Sequence, residues 1–332
     1  MSETNLLEVE HLSKLFPFGK RLLREPKAWI RAVDTVSFSV RRGESFGLVG
    51  ESGCGKTTLG RLILRLINPT SGKIVFDGCD ITDLSKSELR PFRSRMQIIF
   101  QDPYSSLDPR MKVKSIVTEP LGMNRDLAEW ERRDIVSGLL QKVGLKSADL
   151  DKYPHEFSGG QRQRIGIARA LCVRPDLIVA DEPVSALDVS IQAQVINLME
   201  DLKNEFNLSY IFISHDLSII CHVCERIAVM YFGSIIEMGP TDRLSISARH
   251  PYTRALLSAA PIPDPHRLSR PLAMEGDVPS PIDPPKGCPF HPRCAHQFER
   301  CQKENPQLTP IASDHLVACW LNEGRGFKGE NS

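Results

Sequence analysis

The 332-residue chain is 41% hydrophobic and 25% charged, which is the composition of an ordinary globular protein. Its formal net charge is +1, so its bulk charge offers no attraction to nucleic acid and we expect no nucleic-acid partner. No apolar run reaches the roughly 18 residues of a membrane-spanning helix. The N-terminal sequence Met-Ser-Glu-Thr-Asn lacks the basic and apolar parts of a signal peptide. We therefore expect a cytosolic chain.

The first part of the chain carries strand patterns. Residues 6–10 and 33–40 alternate apolar and polar side chains, as half-buried strands do. The basic, irregular stretch between them, residues 19–29, predicts a surface loop or hairpin tip. Residues 73–76 run into Asp77-Gly78, a pair typical of a tight β-hairpin turn. These patterns predict an antiparallel β subdomain.

A glycine-rich loop follows a short apolar strand at residues 45–49. It matches the phosphate-binding P-loop pattern through Gly50, Glu51, Ser52, Gly53, Cys54, Gly55, Lys56, Thr57 and Thr58. The helix after it is predicted from an apolar face of Leu59, Leu62, Ile63, Leu66 and Ile67. In this context, backbone N–H groups of residues 53–56 can surround a β-phosphate at a helix N-terminus. Lys56 would reach the β- and γ-phosphates, and the Thr57 hydroxyl would ligate Mg²⁺, so ATP and Mg²⁺ are the predicted cofactors.

The rest of the chain up to about residue 245 predicts an α/β fold. Residues 126–143 change to helical spacing, and residues 105–170 are predicted to form an inserted helical subdomain. The apolar face of the helix at 126–143 is assigned to Trp130, Leu139, Leu140 and Val143. Apolar strands at 177–180 and 210–213 then alternate with helices, which indicates a parallel sheet with ligands at the carboxyl ends of its strands.

Two acidic residues end the strand at 177–180. Asp181 is the predicted second anchor for Mg²⁺, and Glu182 is the predicted general base for an attacking water. The alternative is an acidic helix start, with Pro183 close behind. The presence of Lys56 in the same chain favours the catalytic interpretation.

A second glycine-rich segment lies before Asp181 and opens the helix predicted at residues 161–171. Its residues are Ser158, Gly159, Gly160 and Gln161. The two glycines allow a close backbone approach, and the serine hydroxyl with helix N–H groups forms a γ-phosphate site. By itself the segment would be an ordinary helix N-cap. One chain needs one phosphate cradle, so a second cradle predicts that ATP is shared between two subunits.

Residues 157–161, Phe-Ser-Gly-Gly-Gln, resemble the signature motif of ATP-binding-cassette (ABC) ATPases, with Phe157 in place of the usual leucine. Gln101 resembles the Q-loop glutamine, Asp188 ends a Ser-Ala-Leu-Asp D-loop, and His215 resembles the switch histidine. The resemblance implies head-to-tail dimers in which the signature of one cassette closes on the P-loop of the other. It implies that Gln101 contacts Mg²⁺ and water, and that His215 contacts the γ-phosphate.

The resemblance also implies an aromatic side chain near the N-terminus that stacks on adenine. Phe16 is our candidate, and Phe18 and Trp29 are its competitors. Stacking requires only the face of an aromatic ring, so a phenylalanine suffices.

The last part of the chain, residues 246–332, follows the ATPase domain of residues 1–245 and is predicted to be a small module rich in proline and cysteine. Residues 250–253, His-Pro-Tyr-Thr, and the proline-rich stretch after them resemble the C-terminal region of dipeptide and oligopeptide importer ATPases. The resemblance covers nearly the whole chain and is close to the second, F-type, ATPase subunit of such permeases. Relatives that share this tail import nickel, glutathione or antimicrobial peptides, so the solute stays open.

The importer resemblance implies an ATPase coupled to transmembrane peptide transport, located peripherally at the cytoplasmic face of the cell membrane. Its implied partners are a second ABC ATPase subunit, two integral-membrane permease subunits and an extracytoplasmic substrate-binding protein. A soluble ABC protein of DNA repair or translation would carry a coiled-coil insertion, two cassettes or a basic face, and many exporter halves carry fused spans. None of these is evident in the sequence.

Four of the nine cysteines lie in the C-terminal module: Cys288, Cys294, Cys301 and Cys319. Four thiolates close in space suit an iron–sulfur cluster or a structural Zn²⁺. The resemblance implies a 4Fe–4S cluster in some members, and unligated buried cysteines are the remaining alternative. Cys221 and Cys224 are expected to be core residues. Cys54 is expected to have a lowered pKa at a helix N-terminus, so that its alkylation blocks ATP binding.

Overall fold

A computed structural model of the protein describes residues 4–19, 26–123, 128–259, 276, 279–282 and 284–323. Within these ranges it contains the strands β1 (Asn5–Phe18), β2 (Ala28–Arg41), β3 (Ser45–Val49), β4 (Ser71–Phe76), β5 (Cys79–Asp80), β6 (Met96–Ile99), β7 (Leu177–Asp181), β8 (Ser209–Ser214), β9 (Arg226–Tyr231), β10 (Ser234–Pro240), β11 (Thr309–Ala312) and β12 (His315–Val317).

The α-helices of the same ranges are α1 (Lys56–Ile63), α2 (Arg90–Arg95), α3 (Val113–Thr118), α4 (Glu129–Lys142), α5 (Gly159–Leu171), α6 (Val189–Phe206), α7 (Leu217–Val223), α8 (Thr241–Ser247), α9 (Pro251–Ala259) and α10 (Glu299–Lys303). Short 3₁₀ helices occupy Glu119–Met123, Ser147–Asp151, Pro154–Glu156, His291–Arg293 and Trp320–Asn322.

The N-terminal strands form the predicted antiparallel β subdomain, a four-stranded sheet in the order β2-β1-β4-β5. β1 and β2 are longer than the sequence pattern indicated, because their pairing continues outward towards residues 18 and 28. Residues 20–25 of the predicted loop lie outside the described residues. The predicted hairpin turn after β4 is confirmed, since Asp77 and Gly78 both have positive φ, 50° and 76°, as a primed turn requires.

The second sheet has eight strands in the order β11-β12-β10-β9-β3-β8-β7-β6. β3 lies between β8 and β9 and is parallel to both, and β7 and β6 continue the parallel part. Every residue of β3, β7 and β8 is buried, as expected for parallel strands covered on both faces. The predicted parallel α/β layer is therefore confirmed. Phe38 of the first sheet stacks on Phe46 of β3 with ring centroids 4.9 Å apart, which joins the two sheets.

Helices α3, α4 and α5, which lie between β6 and β7 along the chain, pack against one another. Leu139, Leu140 and Val143 are buried there as predicted, but Trp130 is 71% exposed and its assignment to the apolar face was wrong. Trp130 and Leu139 are about half a helical turn out of phase at 3.6 residues per turn, so both cannot face the same core.

The helix after the glycine-rich loop is shorter than its apolar stripe predicted. Leu59, Leu62 and Ile63 are buried, but α1 ends at Ile63 and Leu66 is half exposed. Arg65 adopts a left-handed conformation with φ 52°, which ends helices at this position. Its buried guanidinium donates from Nε to the carbonyl of Ile81 at 2.9 Å, so the turn is held by the neighbouring segment.

The C-terminal residues extend the main sheet, because β12 pairs with β10 and β11 pairs with β12. A fully buried carboxylate, Glu237 of β10, bonds His315 of β12 at 2.8 Å and accepts the backbone N–H groups of Arg249 and His250 at 2.7 and 3.0 Å. Burial alone would raise the pKa of Glu237, but these hydrogen bonds outweigh it and keep the pKa below its ordinary value.

We expect Glu237→Ala to lower the free energy of unfolding by about 3–5 kcal/mol, because it leaves a buried His315 and two backbone donors without their acceptor. Denaturant unfolding of the purified protein measures this loss. Glu299→Ala is the matched control, since it breaks an ion pair with Lys303 in which both side chains are largely exposed. The control should change stability by less than about 1 kcal/mol.

The hydrogen bonds of Glu237 also predict that the free energy of unfolding depends on pH. Because the folded-state pKa of Glu237 lies below the ordinary value, its contribution to stability is complete above the unfolded-state pKa. The contribution is lost as the pH falls through the folded-state pKa, so the difference between parent and Glu237→Ala should narrow in acid. An equal difference at neutral and acidic pH would contradict the assignment.

Candidate nucleotide-binding site

The glycine-rich loop runs from the end of β3 at Val49 to the start of α1 at Lys56. Gly50 and Gly55 have φ of 154° and 109°, and a Cβ at either position would meet a backbone oxygen at 2.2 Å (Met230) or 2.1 Å (Ala32). The backbone N–H of Gly233 also donates to the carbonyl of Cys54 at 2.9 Å. The loop therefore packs closely against β2, β9 and the β9–β10 turn, which leaves no room for side chains at Gly50 and Gly55.

Lys56 is buried within this loop. Its ammonium donates to the carbonyl oxygens of Gly50 and Glu51 at 2.7 and 2.9 Å. These contacts hold the charge at the loop, where it can reach a phosphate bound by the loop N–H groups.

The two predicted anchors for Mg²⁺ lie together. The hydroxyl of Thr57 donates to Oδ1 of Asp181 at 2.9 Å across the boundary between α1 and β7. Burial raises the pKa of Asp181, and the hydrogen bond from Thr57 only partly opposes this. A hydroxyl and a carboxylate are hard oxygen donors of the kind that Mg²⁺ prefers, so these residues fit the ion. A bound cation would also offset the cost of ionising the buried carboxylate.

A second polar group surrounds Glu182. Nε2 of Gln101 donates to Oε2 of Glu182 at 2.7 Å, and Nδ1 of His215 lies 3.2 Å from Oε1. Glu182 has a left-handed φ of 47°, and its backbone N–H bonds the carbonyl of Ile213 at 2.9 Å. The hydrogen bond to β8 therefore stabilises the strained backbone of Glu182, and this backbone conformation places the carboxylate between Gln101 and His215.

One cavity of about 930 Å³ joins these groups. The sequence-predicted residues that line it are Glu51, Ser52, Gly53, Cys54, Gly55, Lys56, Thr57, Thr58, Gln101, Glu182 and His215. The volume is within the range of small-ligand sites, roughly 300–1,000 Å³. Five of the six predicted catalytic and Mg²⁺-binding side chains line this cavity, and the sixth, Asp181, is hydrogen-bonded to the lining residue Thr57.

Some lining residues were missed by sequence reasoning. They are Ile30, Arg31, Ala32, Tyr231, Phe232, Gly233, Pro279 and Pro281. Asp102 lies next to the predicted Gln101, and Ser185 and Ala186 belong to the Ser-Ala-Leu-Asp motif, so these three lie in segments that the sequence had marked. Those from β2 and the β9–β10 turn reach the loop across the sheet, and no local pattern in the sequence marks them. The proline-rich stretch that contains Pro279 and Pro281 resembles the C-terminal region of importer ATPases, but nothing in its sequence indicated a place in this cavity.

The second predicted phosphate cradle does not line this cavity in the described part of the chain. Its residues Ser158, Gly159, Gly160 and Gln161 begin α5, and the Ser158 hydroxyl accepts the backbone N–H of Gln161 at 3.4 Å. A Cβ at Gly160 would lie 2.6 Å from Ile191 of α6. Residues 158–161 therefore lie beside α6, which begins directly after Asp188, and neither they nor Asp188 line the cavity at the glycine-rich loop.

Phe16 also lies outside the lining of the cavity. It pairs with Ile30 across β1 and β2, and its ring is 5.2 Å from the ammonium of Lys14. Its partner Ile30 does line the cavity. The competitors Phe18 and Trp29 are exposed and do not line it either, so the adenine-stacking role of Phe16 stays a prediction.

The expected lowering of the Cys54 pKa was wrong. Cys54 is only 7% exposed, and burial raises the pKa of its thiol despite the opposing charge of Lys56. The sequence rule considered the helix N-terminus and left out the strands that cover the loop. Cys221 and Cys224 pack against the core as predicted, and burial raises the pKa of both thiols.

We expect Cys54 to react with iodoacetamide at least about tenfold more slowly than the exposed Cys79, because burial raises the pKa of the Cys54 thiol and shields it from the reagent. Mass spectrometry of timed samples at pH 8 measures both rates in one protein. In denaturant the two rates should become similar. Equal rates in the folded protein would contradict the burial argument.

The C-terminal cysteines are gathered but do not form a metal site as placed. The backbone amide of Cys288 donates to the carbonyl of Cys301 at 2.8 Å. Burial raises the pKa of Cys288 to about 11 and of Cys319 to about 12. Among the described residues, no group of three or more His, Cys, Asp or Glu side chains is arranged to hold a metal ion. The prediction of an iron–sulfur or zinc site is not supported.

None of the described helices is long and apolar enough to cross a membrane. Two solved structures are similar to this fold, each with a TM-score of 0.63 and 27% identity. One is a dimeric, post-hydrolysis ATP-binding cassette with ADP and phosphate bound, covering 71% of this chain and 98% of its own. The other is CbiO1 of Clostridium perfringens, part of an ABC transporter complex, covering 74% and 92%. The fold and the site define an ATP-binding cassette.

Sequence comparison narrows the class. The family model for ABC transporters matches residues 33–185, and the model for the C-terminal region of oligopeptide/dipeptide transporters matches residues 236–301. The probable peptide ABC transporter ATP-binding protein y4tS of Sinorhizobium fredii is 51% identical over 95% of this chain and 89% of its own. The oligopeptide transport protein AppF of Bacillus subtilis is 49% identical over 96% and 98%. The chain belongs to the ABC transporter ATP-binding proteins of the oligopeptide/dipeptide group.

Proposed function

We propose that the chain is the ATP-hydrolysing subunit of an ABC importer for dipeptides or oligopeptides. The observation that carries this proposal is the match of the C-terminal region to oligopeptide/dipeptide transporters beside a complete P-loop site. The dipeptide transport ATP-binding protein DppF of Haemophilus influenzae, 48% identical over 96% of this chain, supports it. Nickel, glutathione or antimicrobial peptides are the alternative solutes, and a soluble ABC ATPase without a transport role is the distant alternative.

The loop and its lysine bind the nucleotide in this proposal. Backbone N–H groups of residues 53–56 surround the β-phosphate, and Lys56 neutralises charge on the β- and γ-phosphates. Thr57, Asp181 and Gln101 would hold Mg²⁺, and the bound ion would neutralise charge on the phosphate oxygens and the leaving group. The hydrogen bond between Thr57 and Asp181 already orients two of these ligands.

Glu182 is the general base of the proposed reaction. The Gln101 amide and the His215 ring hold its two carboxylate oxygens at 2.7 and 3.2 Å, so the carboxylate has a defined direction. In that position it can accept a proton from the water that attacks the γ-phosphate. His215 is half exposed, so it is free to contact the γ-phosphate from the same side.

The complete site is proposed to form between two cassettes. The signature segment at residues 158–161 lies outside the cavity of its own chain, and a similar cassette has been solved as a dimer. We therefore propose a head-to-tail dimer with a second ABC ATPase subunit or a second copy, with Asp188 near the shared interface. Phe16 stacks on the adenine in this arrangement.

The proposed membrane contact is the partly exposed segment after Gln101, residues 103–111. Tyr104 in this segment is 59% exposed, and its ring lies 4.1 Å from the guanidinium of Arg162 at the start of α5. Two permease subunits and an extracytoplasmic binding protein complete the importer. The chain would then bind peripherally at the cytoplasmic face of the membrane.

The proposed organisation keeps an ATPase domain at residues 1–245, with its helical subdomain at about 105–170, and a C-terminal extension at 246–332. The match to the C-terminal region begins within β10 and supports an extension of this kind. We propose no metal for Cys288, Cys294, Cys301 and Cys319, because no group of three or more metal-ligating side chains among the described residues is arranged to hold one.

We expect Glu182→Gln to bind ATP with unchanged affinity and to hydrolyse it at least about 100-fold more slowly, since the base is removed. Steady-state phosphate release and a fluorescent-nucleotide titration measure the two quantities. The variant should also accumulate as a dimer in MgATP by light scattering. Glu129→Gln, an exposed glutamate of α4, is the matched control and should hydrolyse ATP at the parent rate.

A growth and uptake assay tests the transported solute. Deletion of the gene should abolish uptake of a labelled tripeptide, and the parent gene should restore it while the Glu182→Gln gene does not. Loss of labelled nickel or glutathione uptake with normal peptide uptake would replace peptide by that solute. Parent-level ATP hydrolysis by Glu182→Gln would overturn the base assignment.

A further inference from the structure

Two residues of the C-terminal region hold one residue of the phosphate loop. The Arg293 guanidinium makes a bidentate ion pair with the Glu51 carboxylate, with Nη1–Oε2 and Nη2–Oε1 distances of 2.8 and 3.0 Å. The backbone N–H of Glu51 donates to the hydroxyl of Tyr252 at 2.8 Å. Glu51 is thus bound through both its side chain and its backbone by residues more than two hundred positions away along the chain.

These contacts are buried and firmly supported. The Arg293 side chain is 7% exposed and Tyr252 is fully buried. The rings of Tyr231, Tyr252 and Phe290 form a cluster with centroids 4.7–5.5 Å apart. Arg293 ends the 3₁₀ helix that follows Phe290, so packing of that cluster determines where its guanidinium lies.

The negative charge of Glu51 affects how well the loop can bind ATP. Glu51 places a carboxylate in a loop that binds the negatively charged phosphates of ATP. An unpaired carboxylate there would repel the nucleotide, and the repulsion is strong where protein excludes water. The bidentate pair with Arg293 neutralises the carboxylate and also fixes its direction. The hydrogen bond to Tyr252 fixes the peptide group at the same residue.

We infer that Arg293 and Tyr252 are positioning residues for ATP, and that the Arg293–Glu51 pair couples occupancy of the phosphate loop to the cysteine-bearing segment at residues 284–323. The inference rests on the proposed function only in requiring that this loop binds ATP. Coupling of this kind is reciprocal: if the segment favours ATP binding, bound ATP stabilises the segment by the same free energy.

The first experiment measures MgATP affinity of the full-length protein with a fluorescent ATP analogue. Arg293→Ala should bind about tenfold more weakly, equivalent to about 1.4 kcal/mol. In steady-state hydrolysis the loss should appear in KM for ATP more than in kcat. Lys303→Ala is the matched control, because it removes an exposed lysine of the same segment and should leave affinity unchanged.

A charge rescue separates electrostatics from simple loss of structure. Adding Glu51→Gln to Arg293→Ala removes the unpaired carboxylate and should recover at least half of the lost affinity. A folded Arg293→Ala protein with parent affinity, or no recovery in the double variant, would overturn the charge argument.

Milder variants keep the test decisive if Arg293→Ala fails to fold. Arg293→Lys retains the charge and should bind ATP more tightly than Arg293→Met, which does not. Tyr252→Phe removes only the hydroxyl and should weaken binding by a few fold. Equal affinities for the lysine and methionine variants would refute the inference.

Hydrogen exchange tests the reverse direction. In the parent, MgATP should slow amide exchange in residues 284–323, and Arg293→Ala should abolish this effect. No effect of MgATP in the parent would overturn the coupling. A parent that binds ATP without hydrolysing it would defeat the proposed function and leave this inference standing, because binding and exchange do not require turnover.

Discussion

The close contact between the phosphate loop and two neighbouring backbones is the constraint on which the site depends. Carbonyl oxygens of Ala32 and Met230 lie where a side chain at Gly55 or Gly50 would have to be. The loop therefore keeps its shape through packing against β2 and β9, and its N–H groups keep the directions that a phosphate requires. The same contact excludes water from Cys54, which is why its thiol is protected even though it lies beside Lys56.

Hydrogen bonds hold the polar residues of the site in two groups, one at Asp181 and one at Glu182. Thr57 orients Asp181, and Gln101 and His215 orient Glu182. Because β3, β8, β7 and β6 are adjacent and parallel, the segments after their carboxyl ends bring these residues together at one edge of the sheet. The strained backbone of Glu182 is stabilised by its bond to β8, so the position of the base depends on the sheet as much as on the P-loop.

Local sequence patterns predicted the strands, the P-loop and the acidic end of β7, since each depends on residues close together in the chain, whereas Gln101 and His215 were assigned only through the family resemblance. They failed where distant segments decide the outcome. Trp130 was misplaced because an apolar residue was assigned without its helical phase, and Cys54 because neighbouring strands were left out. The contacts of Glu51 with Tyr252 and Arg293 carry no local signal, because they form only when the C-terminal region folds back on the loop.

The pairing of β12 with β10 determines what happens when the C-terminal part of the chain is removed. β10 pairs with β9 on one side and β12 on the other, so a chain shortened after α8 would leave part of its backbone without hydrogen-bond partners. An unpaired edge of this kind invites pairing with another molecule and aggregation. The C-terminal residues therefore cover the edge of β10 in the ATPase sheet. A shortened chain would self-associate through that exposed edge and not because of ATP binding.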